Sequence, residues 1–253
     1  MDAPLDVVGR VATVLRTVSG CEPDGATTAE IARATALARP TAHRILSSLH
    51  RHGLIDRDEY GRWLLGPELF LLGATAARRY DVRSLAYPWV RRLADETGES
   101  AFFSILRGEE TVCLIREDGA FPVRSHVLYE GARFPLGVVS AGIAVLAFLP
   151  DREVATFLDN HDLSGSFGPA HARDRLESRL AEARTTGWSL NPGLIVPGSW
   201  GMAAAVFDTT GRPVGALSLT GIEARFAPAR QSELGAALLR AAHGLGKAIR
   251  QSH

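Results

Sequence analysis

Cysteine is nearly absent from this chain: of its 253 residues only Cys21 and Cys113 are cysteines, and neither belongs to a CxxC motif or a cysteine–histidine cluster. A disulfide framework and a structural zinc site are therefore not expected. The sequence also lacks any apolar run of the roughly 18 to 20 residues that a membrane helix needs, and it begins without the pattern of a secretory signal. A cytoplasmic protein with no membrane partner is expected.

Net charge is lacking as well, because 28 basic residues balance 28 acidic ones and provide no overall attraction for nucleic acid. Lysine is almost missing: Lys247 is the only one, and every other basic residue is arginine. The planar guanidinium group of arginine suits bidentate contacts to phosphate and guanine. Any nucleic-acid interface must therefore be a local cluster of arginines.

Signatures of enzymes are missing too. Neither Ser166 in SGSFG nor Ser199 in PGSWG completes the GxSxG motif, because the first glycine is absent in both. The HExxH motif and the phosphate-binding loop are also absent. His161, Asp162 and His171 are close in sequence, but scattered histidines are usually solvated. We expect no catalytic residues, no metal and no cofactor.

The first eighty residues have the pattern of a winged helix-turn-helix. Apolar residues at helical spacing predict a helix over 5–19, and Thr28 is the expected cap of a second helix over 29–34. A third helix is predicted over 39–52. The segment LIDRDEYGRWLLG then predicts a hairpin, the wing, and an apolar helix follows over 67–80.

The third predicted helix carries the charge pattern of a DNA-reading element. Residues 39–52 include three arginines and no acidic residue, whereas a merely solvated helix face usually mixes both signs. The second helix of a helix-turn-helix enters the major groove. We predict contacts to DNA, led by Arg39 and Arg44, from Arg39, Thr41, His43, Arg44, Ser48 and Arg51, together with Arg62 at the tip of the wing.

The remaining chain alternates helices with strand-like runs that are typical of an α+β domain. Predicted strands cover 100–108, 110–117, 123–129, 202–207 and 214–220, and predicted helices cover 84–97, 141–149, 151–158, 170–186 and 228–250.

Four segments in order resemble the IclR family of regulators. The stretch from TTAEIARATALARPTAHRILSSLH to GPELFLLG resembles that family's winged helix-turn-helix and linker helix. EGARFPLGVVSAGIAVLAFLP, GWSLNPGL and MAAAVFDTTGRPVGALSLTG resemble three motifs of its sensor domain. The resemblance implies a winged helix-turn-helix DNA-binding domain over 1–66, a linker helix over 67–82 and a GAF-like effector-binding domain over 83–253.

The resemblance also implies a function: a ligand-responsive transcriptional regulator, expected to be a repressor, whose sensor domain binds a small organic acid or related metabolite. The expected partners are double-stranded DNA with a near-palindromic operator and further copies of the chain, in a homodimer or dimer of dimers. The effector-binding positions that carry over by motif are Ser140, Ala141, Asn191, Gly201, Ser218 and Thr220.

Each of these assignments has an alternative. The Ser218 and Thr220 hydroxyls, on one face of a strand, can equally bond to backbone or water, and Asn191 before a proline is also typical of a turn. Gly201 can allow a ligand or a backbone segment to come close, or it can form a bulge. For the whole chain, the alternative is a small-molecule enzyme or binding module whose N-terminal helices serve another purpose.

Overall fold

The computed structural model describes residues 6–77, 82–122 and 127–252. The chain divides into two compact units, Met1–Asp81 and Val82–His253. The first is a helix-turn-helix with a wing and the second is an α+β unit, so the expected fold class is confirmed. Within the described residues, no helix is long and apolar enough to cross a bilayer.

Within its described residues, the N-terminal unit contains four helices and one hairpin. They are α1 (Val7–Ser19), α2 (Thr28–Ala34), α3 (Arg39–Arg51), β1 (Ile55–Arg57), β2 (Trp63–Leu65) and α4 (Pro67–Ala77). The helices α1, α2 and α3 turn an apolar face inward, onto a core that includes Val14, Ile31, Leu46 and Trp63. The helix predicted over 67–80 includes residues 78–80, which lie outside the described residues.

The start of α2 differs from the sequence-based prediction. Thr27, not Thr28, is the cap: its hydroxyl accepts a hydrogen bond from the Glu30 amide at 3.3 Å, and the Glu30 carboxylate accepts one from the Thr27 amide at 2.8 Å. That backbone bond holds the pKa of Glu30 below its usual value. Thr28 instead accepts a hydrogen bond from Nε1 of Trp63 at 2.9 Å, which ties α2 to the wing.

The turn between α2 and α3 is short because Ala36 adopts a left-handed conformation, with φ at 52°. Residues with a Cβ atom rarely do so. The Leu37 amide then bonds to the Ala32 carbonyl at 3.0 Å, which closes the turn. This arrangement sets the direction in which α3 leaves the turn.

The C-terminal unit is built on one antiparallel sheet of six strands, in the order β5-β4-β3-β8-β7-β6. The strands are β3 (Ser100–Arg107), β4 (Glu110–Glu117), β5 (Arg133–Pro135), β6 (Ser189–Pro192), β7 (Ser199–Phe207) and β8 (Pro213–Ile222). The helices are α5 (Val82–Thr97), α6 (Ser140–Ala147), α7 (Asp151–Asn160), α8 (Ser164–Phe167), α9 (Arg173–Thr186) and α10 (Pro228–Gln251).

Helices cover both faces of the sheet. On one face, side chains such as Phe103 and Leu219 pack against α5 and α10. On the other face, small residues such as Ala203 and Ala216 pack against α6 and α9. Because both faces are covered, the central strands β7 and β8 are buried over almost their whole length. The small side chains allow α6 to lie close to the sheet.

Two short edge strands, β5 and β6, were not expected from the sequence. A strand predicted over 123–129 is wrong for 127–129, which are not in a strand, and 123–126 lie outside the described residues. The segment at 133–135 pairs with β4 instead. The β6 sequence, SLNP, is polar and contains a proline, so it lacks the alternating apolar pattern of a strand.

Candidate DNA interface and ligand cavity

The outward face of α3 is exposed and positively charged. Arg39, His43, Arg44, Ser48 and Arg51 are exposed, and Thr41 is half-buried. The opposite face, with Ala42, Leu46 and Leu49, is buried in the core. Among the described residues, no carboxylate forms an ion pair with the arginines at 39, 44 and 51. The charge of this face is therefore available to an external anion.

The wing adds a different arginine from the one predicted. Arg57 is exposed, its Cζ lies 5.1 Å above the Trp63 ring, and its Nε donates to the Gly61 carbonyl at 3.1 Å. Together with Arg39 and His43 it borders an open concavity of about 470 Å³. Arg62, the predicted contact, is half-buried, and its Nε is shielded from solvent and has no hydrogen-bond partner in the part of the chain that the structure describes.

Both arginines flank the wing turn, but only Arg57 has acidic neighbours in the sequence, Asp56 and Asp58. Which of the two lies beside α3 depends on the strand position that faces the helix. Arg57 does so, because its guanidinium group lies over the Trp63 ring and borders the same concavity as Arg39.

Five of the six predicted effector-binding residues line one small cavity in the C-terminal unit. It measures about 30 Å³, room for about one water molecule, and none of the side chains that line it is charged. The five are Ser140, Ala141, Asn191, Gly201 and Thr220. Ser218 lies two residues from Thr220 on β8, so its side chain is on the same face of the sheet, but it does not line the cavity.

The floor of the cavity is a row of residues across three strands. Asn191 on β6 lies opposite Gly201 on β7, and Gly201 lies opposite Thr220 on β8. A Cβ atom at Gly201 would be 3.0 Å from the Ser140 hydroxyl oxygen. The glycine is therefore explained by the close approach of the first residue of α6, an explanation that the sequence had not suggested.

Two hydroxyl groups on β8 lack protein partners. Oγ of Ser218 and Oγ1 of Thr220 are both buried, and neither has a hydrogen-bond partner among the described residues. A buried polar group without a partner costs about 1 to 3 kcal/mol. The first turn of α6 is also uncapped, because Val139 at its N-cap provides no side-chain acceptor. The cavity thus combines the buried Thr220 hydroxyl with the amides of a helix N-terminus, which attract anions.

A larger groove of about 380 Å³ lies between α7 and the turn that joins β3 to β4. Two of its carboxylates already have partners. Arg212 donates two hydrogen bonds to the Glu153 carboxylate, both 2.7 Å long, and these lower the pKa of Glu153. The Glu109 carboxylate lies 3.4 Å from Nε2 of His161. The smaller cavity is the better candidate for a ligand, because five of the six predicted effector-binding residues line it and none of them lines this groove.

The residues considered for catalysis do not form a reactive group. His171, expected to be solvated, is only 1% exposed, and Asp162 accepts hydrogen bonds from Ser164. Burial raises the pKa of the Cys113 thiol to about 12, so this thiol is not a nucleophile near neutral pH. Within the described part of the chain, no three histidine, cysteine or acidic residues are placed to hold a metal ion.

Known proteins match both units. Residues 7–59 match the model of the IclR helix-turn-helix domain, and residues 74–246 match the model described as Bacterial transcriptional regulator IclR C-terminal. The glycerol operon regulatory protein of Streptomyces griseus is 31% identical over 221 residues, which cover 87% of this chain and 85% of that protein. The transcriptional regulator XynR of Escherichia coli strain K12 is 28% identical over 223 residues, covering 87% and 88%.

A solved structure agrees with these matches. An IclR homologue from Microbacterium hydrocarbonoxydans, crystallised in complex with 4-hydroxybenzoate, aligns with a TM-score of 0.76 and 25% sequence identity, over 96% of this chain and 99% of that one. One family model alone covers more than half of the sequence, and its partner model covers the helix-turn-helix. This chain belongs to the IclR family of transcriptional regulators.

Proposed function

We propose that the outward face of α3, with Arg57 of the wing, reads an operator in double-stranded DNA, and that a small organic acid in the α6 cavity controls this binding. The observation that carries the proposal is the exposed, acid-free face of α3, whose arginines have no ion-pair partner among the described residues. In this proposal residues 1–66 bind DNA, 67–82 form the linker and 83–253 bind the effector. The protein acts as a repressor where its operator overlaps a promoter.

The side chains on α3 take different roles by position. Arg39 and Arg44, near the N-terminal end of the helix, meet base edges or the phosphates beside them, because this end of a recognition helix lies deepest in the groove. Thr41, His43 and Ser48 are further contacts. Arg51, in the last turn, contacts phosphate. Arg62 stays a candidate contact that would need its side chain to swing outward.

Two copies of the chain are needed to present two such helices. The N-terminal unit exposes apolar side chains on α1 and α4: Val8 is 78% exposed and Phe70 is 77% exposed, with Leu71 and Leu72 beside it. Exposed apolar surface of this kind is typically covered by a partner. A second copy covering it gives the homodimer, or dimer of dimers, and half-sites about one helical turn apart in a near-palindromic operator.

The chemistry of the α6 cavity favours a small organic acid. The amides of Ser140 and Ala141 receive the carboxylate, and the Thr220 and Ser218 hydroxyls bond to its other polar groups. The 4-hydroxybenzoate bound by the Microbacterium homologue is an acid of this class. Because the cavity holds about one water molecule, the ligand enters only when its walls separate, and it favours whichever arrangement it binds more tightly.

Substitution of Arg44 tests the DNA-reading role. Arg44→Ala should weaken binding to the DNA upstream of the protein's own gene by about 1 to 3 kcal/mol, measured by electrophoretic shift over a range of salt concentrations. The matched control is Arg92→Ala, because Arg92 is an exposed arginine on α5. Wild-type affinity should fall steeply as salt rises. Equal affinities for the two variants would refute the assignment.

A thermal-shift screen with aromatic and aliphatic acids tests the effector role. An acid that binds the folded state raises its melting temperature. The same acid should shift the variant Thr220→Val less, because valine has a similar shape but no hydroxyl. A set of acids that shifts neither protein, or both equally, would remove Thr220 and its cavity from the proposal.

A further inference from the structure

Asn191 on β6 is bonded at both ends of its side chain. Its Nδ2 donates to the Val138 carbonyl at 2.9 Å, and its Oδ1 accepts from the Leu194 amide at 3.0 Å. The residue is only 5% exposed. One of the two Nδ2 hydrogens and one lone pair of Oδ1 are therefore used within the protein. These two bonds fix the orientation of the side chain before any ligand binds.

The two partners of Asn191 belong to two different segments beside the cavity, since Val139 and Ile195, their neighbours in sequence, both line it. Val138 stands two residues before Ser140, the first residue of α6, and it shapes the entrance of that helix. Leu194 belongs to the loop of residues 193–198, which contributes Ile195 to the cavity lining. One side chain thus connects the entrance of α6 with this loop.

The 193–198 loop has the features of a segment that can move as a piece. Gly193 and Gly198, at its two ends, both have positive φ values, 73° and 81°. Backbone bonds hold these ends, from the Gly193 amide to the Asn191 carbonyl at 3.1 Å and from the Glu223 amide to the Gly198 carbonyl at 3.0 Å. Val196, in the middle, is 48% exposed. The bond from Asn191 to Leu194 holds the part of the loop next to the cavity.

His171 fixes the same carbonyl from the other side. Its Nε2 lies 3.2 Å from the Val138 oxygen and its Nδ1 lies 3.0 Å from the Phe167 oxygen. A neutral imidazole has one N–H, so the ring donates to only one of these two carbonyls. With the hydrogen on Nε2 it donates to Val138, whose carbonyl then accepts two hydrogen bonds. A carbonyl held in this way fixes the backbone that leads into Val139 and the first amides of α6.

We propose that Asn191 is a positioning residue whose two hydrogen bonds, to Val138 and to Leu194, connect the 193–198 loop with the start of α6. We call this pair of bonds the tie, and we propose that the effector enters the cavity when the tie breaks. His171 supports the tie by holding the shared Val138 carbonyl. The inference rests on the proposed ligand-binding role of the cavity. The tie requires an asparagine, because one group must donate to Val138 while the other accepts from Leu194, which neither aspartate nor leucine can do.

Hydrogen exchange of the full-length protein without ligand tests this proposal. Asn191→Asp keeps an acceptor for Leu194 but loses the donor to Val138, so exchange should quicken about tenfold at the entrance of α6 and stay slow at the Leu194 amide. Asn191→Leu loses both bonds, so both segments should exchange faster. The matched controls are Asn160→Asp and Asn160→Leu, because Asn160 is exposed at the end of α7.

A double variant separates the tie from a general loss of stability. Since Asn191 and His171 bond to the same carbonyl, the effects of Asn191→Leu and His171→Phe at the entrance of α6 should not add, whereas independent effects would add. Faster exchange spread evenly to α10, additive effects, or unchanged exchange in both segments would each overturn the proposal. The readout needs neither DNA nor effector, so it stays valid if the proposed function fails.

Discussion

Two surfaces carry polar side chains that have no protein partner among the described residues: the outward face of α3 and strand β8 of the C-terminal unit. Water reaches only the side chains on α3. Arg39 and Arg44 are exposed, so solvent satisfies their guanidinium groups and the missing ion pairs cost little. The hydroxyls of Ser218 and Thr220 are buried, so their missing partners reduce stability.

This difference predicts how each surface recognises the target proposed for it above. A hydrated positive face attracts a polyanion at long range, and salt weakens the attraction. Buried hydroxyls act at hydrogen-bonding distance and discriminate by shape and by donor or acceptor, because a wrong ligand leaves them unpaired. Substitutions on α3 should therefore change binding and leave stability alone, whereas substitutions at β8 should change both, in opposite directions.

The largest effect is expected where charge is buried. Glu99 is 2% exposed and accepts from Nε of Arg225 at 2.7 Å and from Nη1 of Arg230 at 2.5 Å, which links the start of β3 to the N-terminal end of α10. Glu99→Gln leaves these arginines without a carboxylate. Because they are partly exposed, we expect the free energy of unfolding to fall by about 3 kcal/mol, near the lower end for a broken buried pair. Urea unfolding measures it.

The control for this prediction is an ion pair at the surface. Glu96 pairs with Arg240, and the two side chains are 43% and 64% exposed. Glu96→Gln should cost less than about 1 kcal/mol, because water screens the pair and replaces it. Equal losses of stability in Glu99→Gln and Glu96→Gln would mean that burial does not make the Glu99 ion pairs more important than an exposed pair, and the prediction would be wrong.

On the α3 face, Arg51→Ala should change the salt dependence of binding and leave stability unchanged. If Arg51 contacts one phosphate, its loss reduces the slope of log affinity against log salt by about 1. The free energy of unfolding should stay within about 0.5 kcal/mol of wild type, because the side chain is exposed. Fluorescence anisotropy with operator DNA gives the slope. An unchanged slope together with lower stability would contradict the proposed role.

The α3 face could be predicted from the sequence more directly than the cavity beside β8. The α3 face follows from local information, because helical periodicity places its residues and the absence of acidic residues marks its charge. The choice of Thr27 as the cap of α2 does not follow, since two adjacent threonines have equal propensity. The left-handed Ala36 is also hidden, because the surrounding structure imposes it against local preference.

The cavity was visible only through motifs. Resemblance supplied positions such as Ser140 and Thr220, and the structure brings them together across segments far apart in the chain. The double bonding of Asn191 depends on the positions of Val138 and Leu194, which no local pattern encodes. The strand β6 was missed for a similar reason, because its pairing with β7 outweighs its polar, proline-containing sequence.

Smaller changes in the free energy of unfolding, of opposite sign, are expected for substitutions on β6 and β8. Ser189 and Ser218 lie in one row on either side of Ala203, and both are 1% exposed. The Ser189 hydroxyl donates to the Ser140 carbonyl at 2.7 Å, whereas the Ser218 hydroxyl has no partner within 6–77, 82–122 and 127–252. Ser189→Ala should lower the free energy of unfolding by about 1 kcal/mol, and Ser218→Ala should raise it by up to about 1 kcal/mol.

The urea concentrations at which Ser189→Ala and Ser218→Ala are half unfolded, compared with that of the wild type, test this prediction. The same sign for both variants would mean that the Ser218 hydroxyl is satisfied in solution, and the contrast between the two surfaces would then fail at β8.

The smallest expected effect is the loss of stability at the start of α2 when the pH is lowered. The folded-state pKa of Glu30 is below the usual 4.5, because the carboxylate accepts from the Thr27 amide. A lowered pKa stabilises the fold above the unfolded value, and this stabilisation is lost as pH falls through the folded value. Glu30→Gln keeps an acceptor that does not titrate. Between about pH 6 and about pH 3, protection of the α2 amides should therefore decline more in wild type than in Glu30→Gln. Equal declines would show that this exposed carboxylate, like the arginines of α3, is sufficiently satisfied by water.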